Sequence, residues 1–250
     1  MRTFEEFKAE ILTRAKAASA CTDQYKRAYA AHDFSELFAV IKDNFSWCCN
    51  NKVIDADMIV SVCEDAARCD VWCNVDVATG FALATGTATV WAYGSATVWA
   101  TGTATVRATG TATVWAYGTA TVRAYGTATV RAYDTATVRA YDTATVWATD
   151  TATVWATGTA TVWATDTATV WAYGTATVRA YDTATVRATG TATVWAYGTA
   201  TVRAYGTAYI NVRSDMDCKI SDKAIMRCRD TDEIMIVAGS LKIKEIEVTE

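Results

Sequence analysis

From Ala84 to Arg203 the chain repeats one eight-residue phrase fifteen times, with no insertion or deletion. The phrase reads Ala, Tyr or Thr, Gly or Asp, Thr or Ser, Ala, Thr, Val, and finally Trp or Arg. A strict short period of this kind specifies a stack of like units, each contacting only its neighbours. Catalysis needs unlike residues converging on one point, whereas a stack shows the same residues again and again. The repeat therefore constrains fold and surface far more tightly than chemistry.

Within an octad, Ala at position 1, Ala at 5 and Val at 7 alternate with the polar or bulky residues at 2, 4, 6 and 8. Alternation of period two places Ala, Ala and Val inward and the rest outward. Position 3, always Gly or Asp, interrupts each run where the chain must turn. Such small inward side chains fill only a thin core. Two octads per coil, sixteen residues, suit that core; three would leave an interior that Ala and Val cannot fill. The expected array is a parallel β-solenoid. The frame continues past the repeats, with Gly206, Ser214, Asp222 and Asp230 at position 3. Its inward residues then grow to Met216, Cys218, Ile220, Ala224, Met226, Cys228, Ile234 and Ile236, which predicts a closing section finished by Leu241, Ile243 and Ile246.

The first 70 residues follow a different period. Thr3 and Glu6 form a capping box, followed by Phe4, Phe7, Ile11 and Ala15 at helical spacing. A second helix is expected over Thr22 to Ala31, a third from Asp33 to Trp47, and a fourth from Asp55 through Ala66. Val71, Cys73, Val75 and Val77 then alternate as in a strand. The predicted fold is thus α+β: a small helical bundle over 1–70 capping the solenoid of 71–213, with variant octads and a C-terminal cap over 214–250. Such a cap covers strand edges that would otherwise invite aggregation.

Charge narrows the possible roles. Residues 1–83 hold 9 Lys+Arg against 13 Asp+Glu, residues 84–213 hold 8 against 5, and residues 214–250 hold 6 against 9. A weakly basic middle between acidic ends argues against a nucleic-acid partner. No stretch has the length of a membrane span, and acids at Glu5 and Glu6 stand where a signal peptide needs an apolar run. The expectation is a cytoplasmic protein with no membrane partner. The eight cysteines lie outside the repeats, without a C-x-x-C pair, and His32 is the lone histidine. That spacing fits no common zinc pattern, so the thiols read as small buried hydrophobes. No Gly-rich loop cradles a phosphate and no triad spacing is present. The sequence nominates no catalytic residue, no metal ligand and no cofactor.

Position 8 is the most informative outward position. With two octads per coil, alternate octads share a face. One face carries Trp91, Arg107, Arg123, Arg139, Trp155, Trp171, Arg187 and Arg203; the other carries Trp99, Trp115, Arg131, Trp147, Trp163, Arg179 and Trp195. Trp, Tyr and Arg dominate interface hot spots, neighbouring Trp and Arg can make cation–π contacts, and a long bare Trp row is unusual on a soluble monomer. The candidate binding surface is accordingly Trp99, Trp115, Trp147, Trp163 and Trp195, with Arg107, Arg123, Arg139, Arg187 and Arg203. The expected partner is a protein, or a second copy of the chain. Asp134, Asp150, Asp166 and Asp182, each sixteen apart, form a candidate anionic edge, with Asp142 on the opposite one. A calcium roll is not expected, because the G-G-x-G-x-D pattern is absent.

The paired threonines of Thr-Ala-Thr resemble the T-x-T rows of β-solenoid antifreeze proteins. The octad is also similar to that of bacterial ice-nucleation proteins, A-G-Y-G-S-T-x-T, nearest at Ala92-Tyr93-Gly94-Ser95-Ala96-Thr97. That resemblance covers the array and implies a two-strand solenoid with water-ordering Thr rows and molecule-pairing Tyr rows. The chain departs from it in the placement of the Thr pair and in the Trp or Arg after every Ala-Thr-Val. Across the whole length, the helical head followed by S/T-A-T-V-[RW] octads resembles octapeptide-repeat proteins of gut bacteria and their phages. Ice binding and a structural fibre subunit are the alternative roles.

Overall fold

The computed structural model describes residues 1–237. The chain divides into two compact units, Met1–Val122 and Arg123–Glu250. It folds as a parallel β-solenoid with sixteen residues per coil, preceded by a helical region of six helices.

In the first unit, α1 (Phe4–Ala17) starts on the capping box expected from Thr3 and Glu6. It is followed by α2 (Thr22–Ala30), α3 (Phe34–Asp43), α4 (Phe45–Asn50), α5 (Ala56–Ser61) and α6 (Cys63–Arg68). The expected third and fourth helices are thus each split in two, at Asn44 and at Val62. Both residues sit near φ −123° and −132° with small positive ψ, outside the helical well. At the first break the Asn44 amide donates to the Val40 carbonyl at 2.9 Å, meeting an acceptor that the helix end leaves open. Asp33 and Asp55 cap α3 and α5 by accepting the Glu36 and Met58 amides. Phe7, Ile11, Leu37, Phe38, Ile41, Met58 and Ile59 make the apolar centre of the bundle.

The chain then enters the sheet through β1 (Val71–Cys73), whose residues pair in parallel with β2 (Phe81–Ala84). From there fifteen four-residue strands, β3 (Thr89–Ala92) through β17 (Thr201–Ala204), begin every eight residues. In the first unit, strands two apart pair in register, Thr97 with Thr113 and Thr89 with Thr105. The segment between β1 and β2 covers the start of the second sheet. There the Asp76 carboxylate accepts the Trp91 amide at 2.7 Å, and Val77 bonds to both Trp91 and Tyr93. The opening edge of the second sheet is therefore met by protein, as edge protection requires.

The second unit repeats the same ladder, Thr145 with Thr161 on one sheet and Thr153 with Thr169 on the other. In every octad of this unit the inward Ala, Ala and Val are buried, as the alternation predicts. At position 3 the backbone is left-handed, with φ between 53° and 55° at Asp134, Asp142, Asp150, Asp166 and Asp182. Gly and Asp are residue types that tolerate that region, which accounts for the restriction to these two. Position 5 closes the turn, its amide donating to the position 2 carbonyl, as Ala152 does to Thr149 at 3.1 Å.

β18 (Tyr209–Val212), β19 (Cys218–Ile220) and β20 (Ile225–Cys228) keep the sixteen-residue register. The expected inward run through Ile234 and Ile236 is overturned. β21 (Ile234–Ile236) turns back antiparallel onto β20, leaving Ile234 65% exposed. The turn at Thr231 and Asp232, with Asp232 at φ 58° and accepting from Arg227, reverses the chain. Leu241, Ile243 and Ile246 lie outside the described residues.

Candidate binding surface

Position 8 side chains project outward on four-residue strands whose two inward neighbours anchor the backbone. In-register pairing then places each such side chain directly beside its counterpart sixteen residues away. In the second unit Arg131, Trp147, Trp163, Arg179 and Trp195 form one ladder. Arg139, Trp155, Trp171, Arg187, Arg203 and Lys219 form the other. Trp147 and Trp163 stack at 5.0 Å with 8° between ring planes, and Trp155 and Trp171 at 4.9 Å and 7°. The guanidinium of Arg179 lies 5.6 Å from the Trp163 ring and 5.8 Å from that of Trp195, and Arg139 lies 5.8 Å from Trp155. These are cation–π distances, so the ladders hold their own side chains in order. Trp147 stays 38% exposed, and Arg139, Arg179, Arg187 and Arg203 are exposed.

The first unit treats the same position differently. Arg107 packs over Trp91 at 4.3 Å, and Trp91 is exposed. Trp99, however, is 3% exposed. It joins the apolar centre of the helical region, stacks on Tyr117 at 4.4 Å and leans on Trp115. The sequence-based assignment of Trp99 to an open binding surface is corrected here: the helices cover it. Trp115 is half-buried against the same cluster. Phe81 and Leu83, which occupy the equivalent outward positions one coil earlier, carry this cover, with Phe81 against Phe45 at 4.8 Å.

The Asp edge has an internal use. The Asp150 carboxylate accepts the Asp134 amide at 3.1 Å, Asp166 accepts that of Asp150 at 3.3 Å, and Asp182 that of Asp166 at 3.4 Å. Asp142 on the other edge accepts the Gly126 amide in the same way. Each carboxylate thus satisfies a turn N–H of the coil before it. The Ser214 hydroxyl and amide likewise donate to Asp230, which holds that carboxyl below its usual pKa. Position 4 is similar: the Thr151, Thr167 and Thr183 hydroxyls each donate at 2.8 Å to the position 3 carbonyl seventeen residues before. Tyr125 with Tyr141, and Tyr181 with Tyr197, stack at 4.7 and 4.9 Å at position 2.

Sequence reasoning placed the four aspartates on one edge but missed the hydrogen bonds that they and the position 4 threonines make to the coil before, although the constant hydroxyl at position 4 was visible. It also missed Arg229, which donates to the Ala196 carbonyl at 2.6 Å and covers the Tyr197 ring at 4.1 Å. In the helical region a cavity of about 190 Å³ is lined by Ile11, Tyr25, Val40, Trp47 and Cys48, with Gln24 and Asn44 bonded to each other. Burial pushes the Cys48 thiol up to about 12 and that of Cys49 upward as well, so neither is a thiolate at neutral pH. Among the described residues no helix is long and apolar enough to cross a membrane. No protein-family model, no curated protein and no solved structure matches the chain.

Proposed function

We propose that the protein is a non-enzymatic binder whose solenoid offers its Arg-rich ladder to an acidic protein surface. The observation that carries this reading is the ladder of Arg139, Trp155, Trp171, Arg187, Arg203 and Lys219 on one face of the second unit. Arg139, Arg187 and Arg203 make no ion pair among the described residues. Their charge is available to a partner, while the stacked indoles supply rigid apolar area at low entropic cost. Interference with a host protein, suggested by the likeness to phage octapeptide-repeat proteins, is one form of this activity.

The test is capture from a bacterial lysate with the full chain and with Arg187→Glu/Arg203→Glu. An acidic protein retained by the first, lost from the second and released by salt supports the reading. Equal capture by both moves the function off this face. Ice binding is the second reading, favoured by the in-register Thr rows at position 6. Against it stand the position 4 hydroxyls, donated to backbone carbonyls, and the bulky residue beside each position 6 threonine. Thermal hysteresis at sub-millimolar protein would restore it; concentration-dependent filaments would favour a fibre subunit.

A further inference from the structure

We propose that the Trp-rich face of the second unit is a self-recognition surface, on which two copies of the chain pair about a two-fold axis through Trp163. This extends the reading of position 8 as the working surface, but uses the opposite face. The order along that face is Arg131, Trp147, Trp163, Arg179 and Trp195, each residue paired in register with the next. A two-fold axis perpendicular to the stack reverses the order in the second copy, whereas one along the stack would set Arg131 and Arg179 each against itself. With the axis at Trp163, this indole meets its own symmetry mate. Trp147 then faces Arg179, and Arg131 faces Trp195. Every guanidinium is set against an indole and none against another guanidinium.

Among these five residues the neighbouring axes do worse. One coil toward the N-terminus, at Trp147, pairs only Arg131 with Trp163 and leaves Arg179 and Trp195 facing none of the five. Half a coil toward the N-terminus sets Arg131 against Arg179, and one coil toward the C-terminus sets Arg179 against itself. Half a coil toward the C-terminus avoids repulsion, but it leaves Arg131 facing Asn211 and halves the Trp–Arg pairings. The Arg-rich face has no comparable solution. An axis through Trp171 sets Arg139 against Arg203, one between Trp155 and Trp171 sets Arg139 against Arg187, and one between Trp171 and Arg187 sets Arg139 against Lys219. Like charges placed directly opposite oppose association. Self-complementarity is thus a property of one face only.

Preorganisation adds to the match. Trp147 and Trp163 are already stacked, and Arg179 already sits between the Trp163 and Trp195 rings. Pairing therefore orders few new rotamers. The five residues span about 19 Å at the spacing of adjacent strands, a small footprint. A dimer of roughly micromolar to tens of micromolar affinity is the expectation for an interface at the low end of the size range.

The experiment is sedimentation equilibrium of the full chain and three variants up to about 500 µM, a range that brackets the affinity expected from the footprint. Trp163→Arg places two guanidinium groups at the axis and is expected to weaken the dimer by roughly thirtyfold or more. Trp171→Arg, the same change on the other face, is expected to leave it intact. Mixing Trp163→Arg with Trp163→Glu is expected to restore a mixed dimer, because only an axis at this residue sets it against itself. A wild-type monomer throughout the range overturns the proposal, as does a dimer indifferent to Trp163→Arg or a mixture that fails to pair. Loss of the dimer in Trp171→Arg alone assigns self-pairing to the other face and also overturns it. Partner capture sensitive to Arg187→Glu/Arg203→Glu but with no dimer would leave the proposed function standing while this inference falls.

Discussion

Trp99 and Trp163 occupy the same position of two different octads, on strands with the same backbone, yet one is buried and the other half-open. Trp99 lies under the helices of the first unit, in one cluster with Phe38, Phe45 and Leu83. Trp163 lies between Trp147 and Arg179 on its own sheet. The repeat decides where a side chain points; what meets it there is decided by non-repeating neighbours. At Trp99 this position is structural, whereas in the second unit Trp147, Arg139, Arg179, Arg187 and Arg203 stay exposed.

The largest effect expected tests the part of the octad that both units share. Val162→Asp buries a carboxylate among Ala and Val with no partner, at a cost upward of about 4 kcal/mol. The second unit should lose its sheet signal in circular dichroism, whereas Thr161→Asp on the outward side should keep it.

Next comes the contrast itself. Trp99→Ala should destabilise the first unit by about 3–5 kcal/mol, the range for emptying a buried aromatic site. Trp163→Ala should cost less than about 1 kcal/mol. Denaturant unfolding followed by near-ultraviolet circular dichroism measures both, and equal costs would break the distinction drawn here.

Within the helical region, Asp55→Ala removes the cap of α5 and the carboxylate that holds Arg14, at about 1–2 kcal/mol. Asp55 is partly desolvated, which raises its pKa, but Arg14 and the Met58 amide outweigh this and hold the carboxyl below its usual value. Its contribution is therefore complete above the unfolded pKa and lost as the pH falls through the lower folded one. An acid titration of the variant should accordingly be flatter than that of the wild type.

The smallest effect concerns the turns. Asp166 sits at φ 55° and accepts the Asp150 amide. Asp166→Ala should cost about 1 kcal/mol, because Ala tolerates the left-handed region poorly. Asp166→Asn should be nearly neutral, since Asn both adopts that region and keeps an acceptor oxygen. A melting-temperature difference between the two variants checks this, and identical values would remove the local explanation for Gly and Asp at position 3.

Much of the fold was legible from particular residues. Thr3 and Glu6 announced α1, and the Ala, Ala, Val alternation named the buried side of each strand. The small volume of those residues selected sixteen per coil. The breaks at Asn44 and Val62 were not legible, because apolar spacing continues across both. Of the candidate surface, the sequence correctly separated the two sets of position 8 residues, yet it could not tell that Trp99 was covered. Ile234 looked inward because the frame was extended one octad too far, past a turn at which Asp232 reverses the chain.

The division follows from range. By itself the sequence determined the period, the side of the sheet each residue faces and the residue types able to turn, since these depend on bonded geometry and side-chain volume a few residues apart. Only the tertiary structure decided which indoles are covered, that position 4 hydroxyls and position 3 carboxylates bond to the coil before, and where the last strand reverses. The first two depend on contacts between residues sixteen or more positions apart, which identical octads cannot distinguish, and the last on a turn at Asp232 that breaks the octad frame.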